Sequence, residues 1–200
     1  MLGARLVAGW PGDYAGYIGT GQQVDTLRGA ALALDWLEEV APGSGLAGMD
    51  PQAFRDHGLY VRLMQEVEAK GGGMNVSFLS MLPRALAAPE YRLPDYRRWL
   101  DGANRGSGPM WAEYLERDLI AEVPVMPVPM LLISGASDWN TPVPLVQEWF
   151  ETVEAPQGKR IEVFDGSGHA PFLTETGSFV ETVRSFGART VRPPVRPSAP

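Results

Sequence analysis

The stretch from Pro127 to Gly135 constrains the fold of this chain more than any other. Met130-Leu131-Leu132-Ile133 is apolar at every position, so both faces of an extended strand would meet nonpolar surroundings. That pattern is consistent with a strand buried on both faces. Pro127 and Pro129 precede the run, and Ser134-Gly135 ends it. Pro142 to Val153 then reads as a helix, with Leu145, Trp149, Phe150 and Val153 at helical spacing. Thr141 stands where it would cap that helix, and Pro144 falls in the first turn, where a missing N–H is harmless. Arg160 to Phe164 reads as a second strand, and Phe179, Val180, Val183 and Phe186 stripe a last helix. Strand, helix, strand, helix predicts an α/β fold with parallel strands joined by right-handed crossovers.

The preceding half is richer in helical patterns. Met1 to Trp10 places Leu2, Leu6 and Trp10 on one helical face before Pro11-Gly12 stops it, and Tyr14 to Thr20 reads as a short buried strand ending in the Gly19-Thr20-Gly21 turn. Between Val24 and Val40, residues Leu27, Ala31, Leu34 and Leu37 repeat at helical spacing. Asp50-Pro51 opens a further helix that the pattern carries to Lys70, where Gly71-Gly72-Gly73 ends it. Val76 to Leu119 reads as short helices separated by Pro83, Pro89, Pro94 and a loop from Gly102 to Pro109. Beyond Gly187 the proline-rich basic run Val191 to Pro197 has no means of building a core and predicts a disordered tail.

Charge and composition narrow the function. A net charge of -7 with scattered basic residues argues against nucleic acid as a partner. With no cysteine there is no disulfide framework, thiolate nucleophile or cysteine zinc site. Met1 to Trp10 is broken by Gly3 and Gly9 and lacks the pattern of a signal peptide, and no run approaches the ~20 apolar residues of a membrane span, so a cytoplasmic location is the default expectation.

Asp138 lies just past the end of the apolar strand, in Ser134-Gly135-Ala136-Ser137-Asp138-Trp139-Asn140-Thr141-Pro142. Functional groups of open α/β sheets collect beyond the carboxyl ends of strands, which offers this acid a chemical task; a turn or helix cap is the competing reading. His169 occupies an equivalent place after the second strand, in Gly166-Ser167-Gly168-His169. A neutral imidazole there can take a proton from a nucleophile and return it to a leaving group, and an adjacent carboxylate would fix its tautomer. His57, the other histidine, falls on a helix beside Arg55 and Asp56 and reads as structural. No metal site or cofactor is implied: two distant histidines make a poor ligand set, and Gly19-Thr20-Gly21 lacks the rest of a phosphate loop.

The sequence Gly135-Ala-Ser-Asp138-Trp-Asn-Thr-Pro142, followed by an aromatic-bearing helix, Ala155-Pro156, a strand and Gly168-His169-Ala-Pro-Phe172, resembles the ending of α/β-hydrolases of the proline iminopeptidase type. Tyr17-Ile-Gly-Thr-Gly-Gln22, Pro89-Glu-Tyr-Arg-Leu-Pro-Asp95 and Met110-Trp-Ala-Glu-Tyr114 resemble earlier parts of that group, and the likeness covers nearly all of residues 1 to 187. It implies a partial α/β-hydrolase fold with a few parallel strands: residues 1–22 the remnant of a nucleophile helix and following strand, 23–122 a helical cap, 123–187 the C-terminal part of the core, and 188–200 a disordered tail.

By the same resemblance Asp138 is the triad acid and His169 the general base of a serine hydrolase acting on peptides with a free N-terminus, amides or esters. Glu66, Glu90, Asp95 and Glu113 of the cap are candidates for holding a substrate amino group. The family's G-x-S-x-G nucleophile elbow is missing from the chain, whose opening Met1-Leu-Gly-Ala-Arg-Leu resembles the residues immediately after the elbow. The expectation is therefore a fragment, inactive alone, with an exposed sheet edge open to self-association. An esterase or epoxide hydrolase of the same fold, and a noncatalytic binding or remnant protein, are the alternatives.

Overall fold

The computed structural model describes residues 1–75, 83 and 86–190, and of positions 93, 99–101 and 103–107 the backbone alone. The apolar run organises it. Strand β2, Met130–Gly135, is the centre of a parallel sheet, flanked by β1, Tyr17–Thr20, and β3, Lys159–Phe164. The register runs from Tyr17 opposite Met130 to Thr20 opposite Ile133, and from Met130 opposite Lys159 to Gly135 opposite Phe164.

Every residue of β2 is buried, as its sequence demands. Met130 and Leu132 enter one core, with Ala4 and Val7 of helix α1 (Leu2–Gly9) and the Leu145, Val146 and Trp149 side chains; Leu131 and Ile133 enter another, with Phe164 and Phe186. Successive strand residues thus bury against opposite layers.

The outer elements depart from expectation for identifiable reasons. The buried strand expected over Tyr14–Thr20 contracts to four residues with alternating burial, because β1 pairs on one side only and leaves Ile18 39% exposed. In α1 the small residues Ala4 and Val7 face the core, whereas Leu2 and Trp10 of the apolar stripe are 67% and 61% exposed. Gly3 lies against the Tyr17 ring, so the helix approaches the sheet through its small side chains.

A second core belongs to helices alone. Helix α2, Thr26–Val40, begins where the Asp25 carboxylate accepts the Arg28 N–H at 3.0 Å. It buries Ala30, Ala33, Leu34 and Leu37, a stripe in which Leu27 and Ala31 take only half-buried flanking positions. The single helix expected after Asp50 divides into a 3-10 turn, Pro51–Arg55, and helix α3, His57–Ala69. The division follows from two caps: Asp50 accepts the Gln52 N–H, and Asp56 accepts that of Leu59, both at 2.9 Å. Phe54, Leu63 and Val67 pack onto the α2 stripe.

Helix α4, Leu93–Leu115, runs uninterrupted through the Gly102 to Pro109 segment, where the sequence predicts a loop. Asp95 bonds back to the Arg92 N–H at 2.9 Å and starts it. An interior proline costs about 3 kcal/mol and a glycine about 1. Docking offsets those penalties, for Trp111 is buried, donates its indole N–H to the Arg55 carbonyl at 2.9 Å and packs on Tyr60 at 4.6 Å.

Asp118 then caps a short helix, α5, Leu119–Glu122, which sequence patterning does not reveal. The two ends of the helical lobe lie side by side: Asp25 and Asp118 form an antiparallel bridge, and the Leu119 N–H donates to the Val24 carbonyl at 3.0 Å.

Helices α6, Val143–Thr152, α7, Pro171–Thr174, and α8, Thr176–Thr190, complete the described chain. The expected disordered stretch from 188 thus begins with three helical residues. Its remainder, and most of the short helices expected between Val76 and Pro89, lie outside the described residues. Among the described residues no helix is long and apolar enough to cross a membrane.

Candidate active site

The loops after β2 and β3 meet backbone to backbone. A Cβ on Gly135 would stand 2.1 Å from the Gly168 carbonyl oxygen, so only glycine permits this approach. The Ala136 N–H donates to Phe164 O at 2.9 Å and the Ser137 N–H to Ser167 O at 3.0 Å, binding the loops together. Asp138 and His169 project from this junction.

Asp138 is 1% exposed, and both its oxygens are occupied. Oδ1 accepts the N–H groups of Asn140 at 3.0 Å and Thr141 at 2.9 Å, while Oδ2 accepts the Thr141 hydroxyl at 2.7 Å and pairs with His169 Nδ1 at 2.9 Å. The turn-forming and histidine-pairing readings of Asp138 therefore hold together, one on each oxygen. Thr141, expected to cap α6, instead spends its hydroxyl on Asp138, and the α6 N-terminus has no side-chain cap.

Burial alone would lower the His169 pKa, but the hydrogen bond and charge of Asp138, joined by the charge of Glu68, outweigh it and hold the imidazolium above its ordinary 6.5. Against the ring stands Gly21, at φ +53°, whose Cβ would meet His169 Cε1 at 2.7 Å. Both the left-handed backbone and the contact require glycine there. In front lies a cleft of about 290 Å³ lined by Gln23, Tyr60, Met64, Tyr114, Asn140 and His169, among others. Burial pushes the Tyr60 and Tyr114 phenols up, so both are neutral hydrogen-bonding groups near neutral pH.

The helical lobe reaches the junction through the turn after α3. The Gly72 carbonyl accepts the Trp139 N–H at 2.7 Å, and the Gly73 carbonyl accepts the His169 N–H at 2.8 Å. Trp36 of α2 stacks on Trp139 with ring centroids 5.4 Å apart and planes 12° from parallel. A Cβ on Gly72 would lie 2.6 Å from the Trp36 ring.

His57 is remote in role: it begins α3 and packs its ring 5.0 Å from that of Trp111. Of the acids expected to hold an amino group, Asp95 pairs with Arg98 at 3.0 Å and Glu113 pairs with Arg117. Glu90 is exposed and Glu66 half-buried, and none of the four lines the cleft. The helical-lobe carboxylate whose charge reaches His169 is Glu68, which sequence reasoning missed.

Two serines flank the pair, Ser167 beside the histidine and Ser137 beside the acid, and neither is placed to act as a nucleophile. The Ser167 hydroxyl is fully buried and donates to Glu175 Oε2 at 2.5 Å, while Ser137 is exposed. Among the described residues, the hydroxyl at the His169 ring is that of Thr141, on Nδ1 at 3.4 Å, on the acid's side of the imidazole.

The fold recurs in solved structures of hydrolases. The chain superposes on VinJ with a TM-score of 0.64 at 17% identity, covering 96% of this chain and 63% of that one. With a proline iminopeptidase from Mycobacterium smegmatis the TM-score is 0.62 at 17% identity, covering 95% and 62%. An esterase from Exiguobacterium antarcticum aligns at 0.51 and 16% identity, over 92% of this chain and 63% of its own. The chain has the α/β-hydrolase fold, and its likeness within that fold includes a proline iminopeptidase.

In sequence it is similar to a probable aminopeptidase, YbaC, of Bacillus subtilis strain 168, at 28% identity over 105 residues, which is 52% of this chain and 33% of that protein. The chain thus spans about a third of this curated relative and less than two thirds of the two structures of highest TM-score above. No family model matches it.

Proposed function

We propose that Asp138 and His169 are the acid and general base of a hydrolytic triad of the aminopeptidase type, acting on small peptide, amide or ester substrates. The observation that carries this reading is the 2.9 Å contact between His169 Nδ1 and Asp138 Oδ2 at the ends of adjacent parallel strands. Asp138 fixes the tautomer with the proton on Nδ1, which leaves the Nε2 lone pair to accept a proton from an attacking hydroxyl. His169 then returns that proton to the departing amine or alkoxide, while water completes the transfer of the acyl group.

Residues 23–122 serve as the cap over this site, a reading supported by their separate core and by the meeting of Asp25 with Asp118. No serine of the 200 residues stands in a G-x-S-x-G elbow, so the nucleophile is assigned to a segment outside them.

The test assays aminoacyl and simple ester reporters with the 200-residue chain and with the chain preceded by an elbow segment, each as native and as His169→Ala. Hydrolysis that requires both the elbow and His169 is expected. His169-dependent turnover by the 200 residues alone would place the nucleophile among them, and a longer protein indifferent to His169→Ala would overturn the triad.

A further inference from the structure

The turn Gly71-Gly72-Gly73 does more than stop a helix. Two consecutive carbonyls, Gly72 and Gly73, accept the N–H groups of Trp139 and His169, one next to the acid and the other at the base itself. The turn is held from within the lobe: Glu68, in the last turns of α3, accepts the Met74 N–H on Oε2 at 2.7 Å. Fit is tight throughout. A Cβ on Gly73 would lie 1.8 Å from Glu68 Oε2, and one on Gly168 would lie 2.0 Å from the Gly73 carbonyl oxygen. Gly71, at φ +84°, supplies the left-handed reversal that turns the chain back.

We propose that residues 71–74 form a clamp through which the cap sets the relative position of Asp138 and His169, with Glu68 as the positioning residue that locks it. The clamp rests on geometry, and it draws on the proposed catalytic reading only for its consequence. Were the lobe to shift, the two accepting carbonyls would move together, so acid and base would be displaced as a unit or parted. Glu68 also acts on His169 directly, since its charge adds to that of Asp138 in favouring the imidazolium. The other titratable groups facing the ring are the Tyr60 and Tyr114 phenols across the cleft, both neutral near pH 7.

The test needs no turnover. The chain has two histidines, so the His169 Cε1–H resonance can be followed through a pH titration in the intact 200-residue protein, alongside hydrogen exchange of the Trp139, His169 and Met74 amides. Glu68 is exposed, which makes its substitutions safe for folding. In Glu68→Gln the amide oxygen still accepts from Met74, so the titration midpoint should move down while the three amides stay protected. In Glu68→Ala the midpoint should also move down, and the three amides should exchange about fivefold faster, the loss expected when a hydrogen bond worth roughly 1 kcal/mol is released. Gly168→Ala should release the Trp139 and His169 amides with Glu68 still present. Unchanged exchange in Glu68→Ala, or an unchanged midpoint in Glu68→Gln, would overturn the assignment of Glu68. Failure of the hydrolase reading would leave these measurements untouched.

Discussion

Each oxygen of Asp138 has separate work, and that division predicts what an isosteric change would do. Oδ1 faces two backbone N–H groups, so the side chain of Asp138→Asn must keep its oxygen there and present its NH₂ toward His169. The imidazole is then forced to accept on Nδ1 and carry its proton on Nε2, the wrong tautomer for a base. The protein should fold with its melting temperature little changed, show the reversed tautomer by ¹⁵N chemical shift and, with a nucleophile present, lose about 10⁴-fold in kcat. An unchanged tautomer would refute this division of roles. The raised folded-state pKa of His169 fixes a second sign. A histidine held above its unfolded value stabilises the fold fully below about 6.5, and that contribution is lost as pH rises through the raised value. The stability gap between the native protein and His169→Gln, measured in urea at several pH values, should therefore shrink with rising pH; a widening gap would reverse the assignment. Asp138 and His169 were legible in sequence because strand ends and flanking glycines mark such places. Glu68 and the Gly72 and Gly73 carbonyls were not, since they work through backbone groups that every residue carries.

At the level of elements, the buried strand β2 and the amphipathic α6 were readable because their patterns of large apolar residues match their burial. Trp149, fully buried with its indole N–H on the Val123 carbonyl at 3.2 Å, is the largest side chain in the core on that face. Trp149→Ala should cost about 3–5 kcal/mol in a urea melt, and a loss under 1 would show that this core can collapse around the gap. Two elements differ from their sequence patterns for opposite reasons. In α1 the large residues form the obvious stripe, yet Ala4 and Val7 face the sheet because a close approach favours small side chains. In α4 the glycines and Pro109 signal a loop, and tertiary contacts at Trp111 override them.

Across the whole molecule, the sheet leaves β1 at its edge, and Leu2, Trp10, Tyr14 and Ile18 add exposed apolar surface on and before it. Such an edge and patch favour association. The double change Leu2→Glu with Trp10→Glu should lower concentration-dependent light scattering without lowering the melting temperature, whereas unchanged scattering would place association elsewhere. The alternation of strand and helix around the sheet was legible in the sequence pattern; the docking of the lobe onto the strand ends was not, because it depends on contacts between residues far apart in the chain, such as Trp36 with Trp139 and Gly73 with His169. Those two indoles lie nearly parallel at 5.4 Å, one on the lobe and the other next to the acid. Chromophores so disposed share their excitation, so the protein carries an internal optical gauge: its ultraviolet circular dichroism reports, without any added label, whether the helical lobe and the sheet are in register.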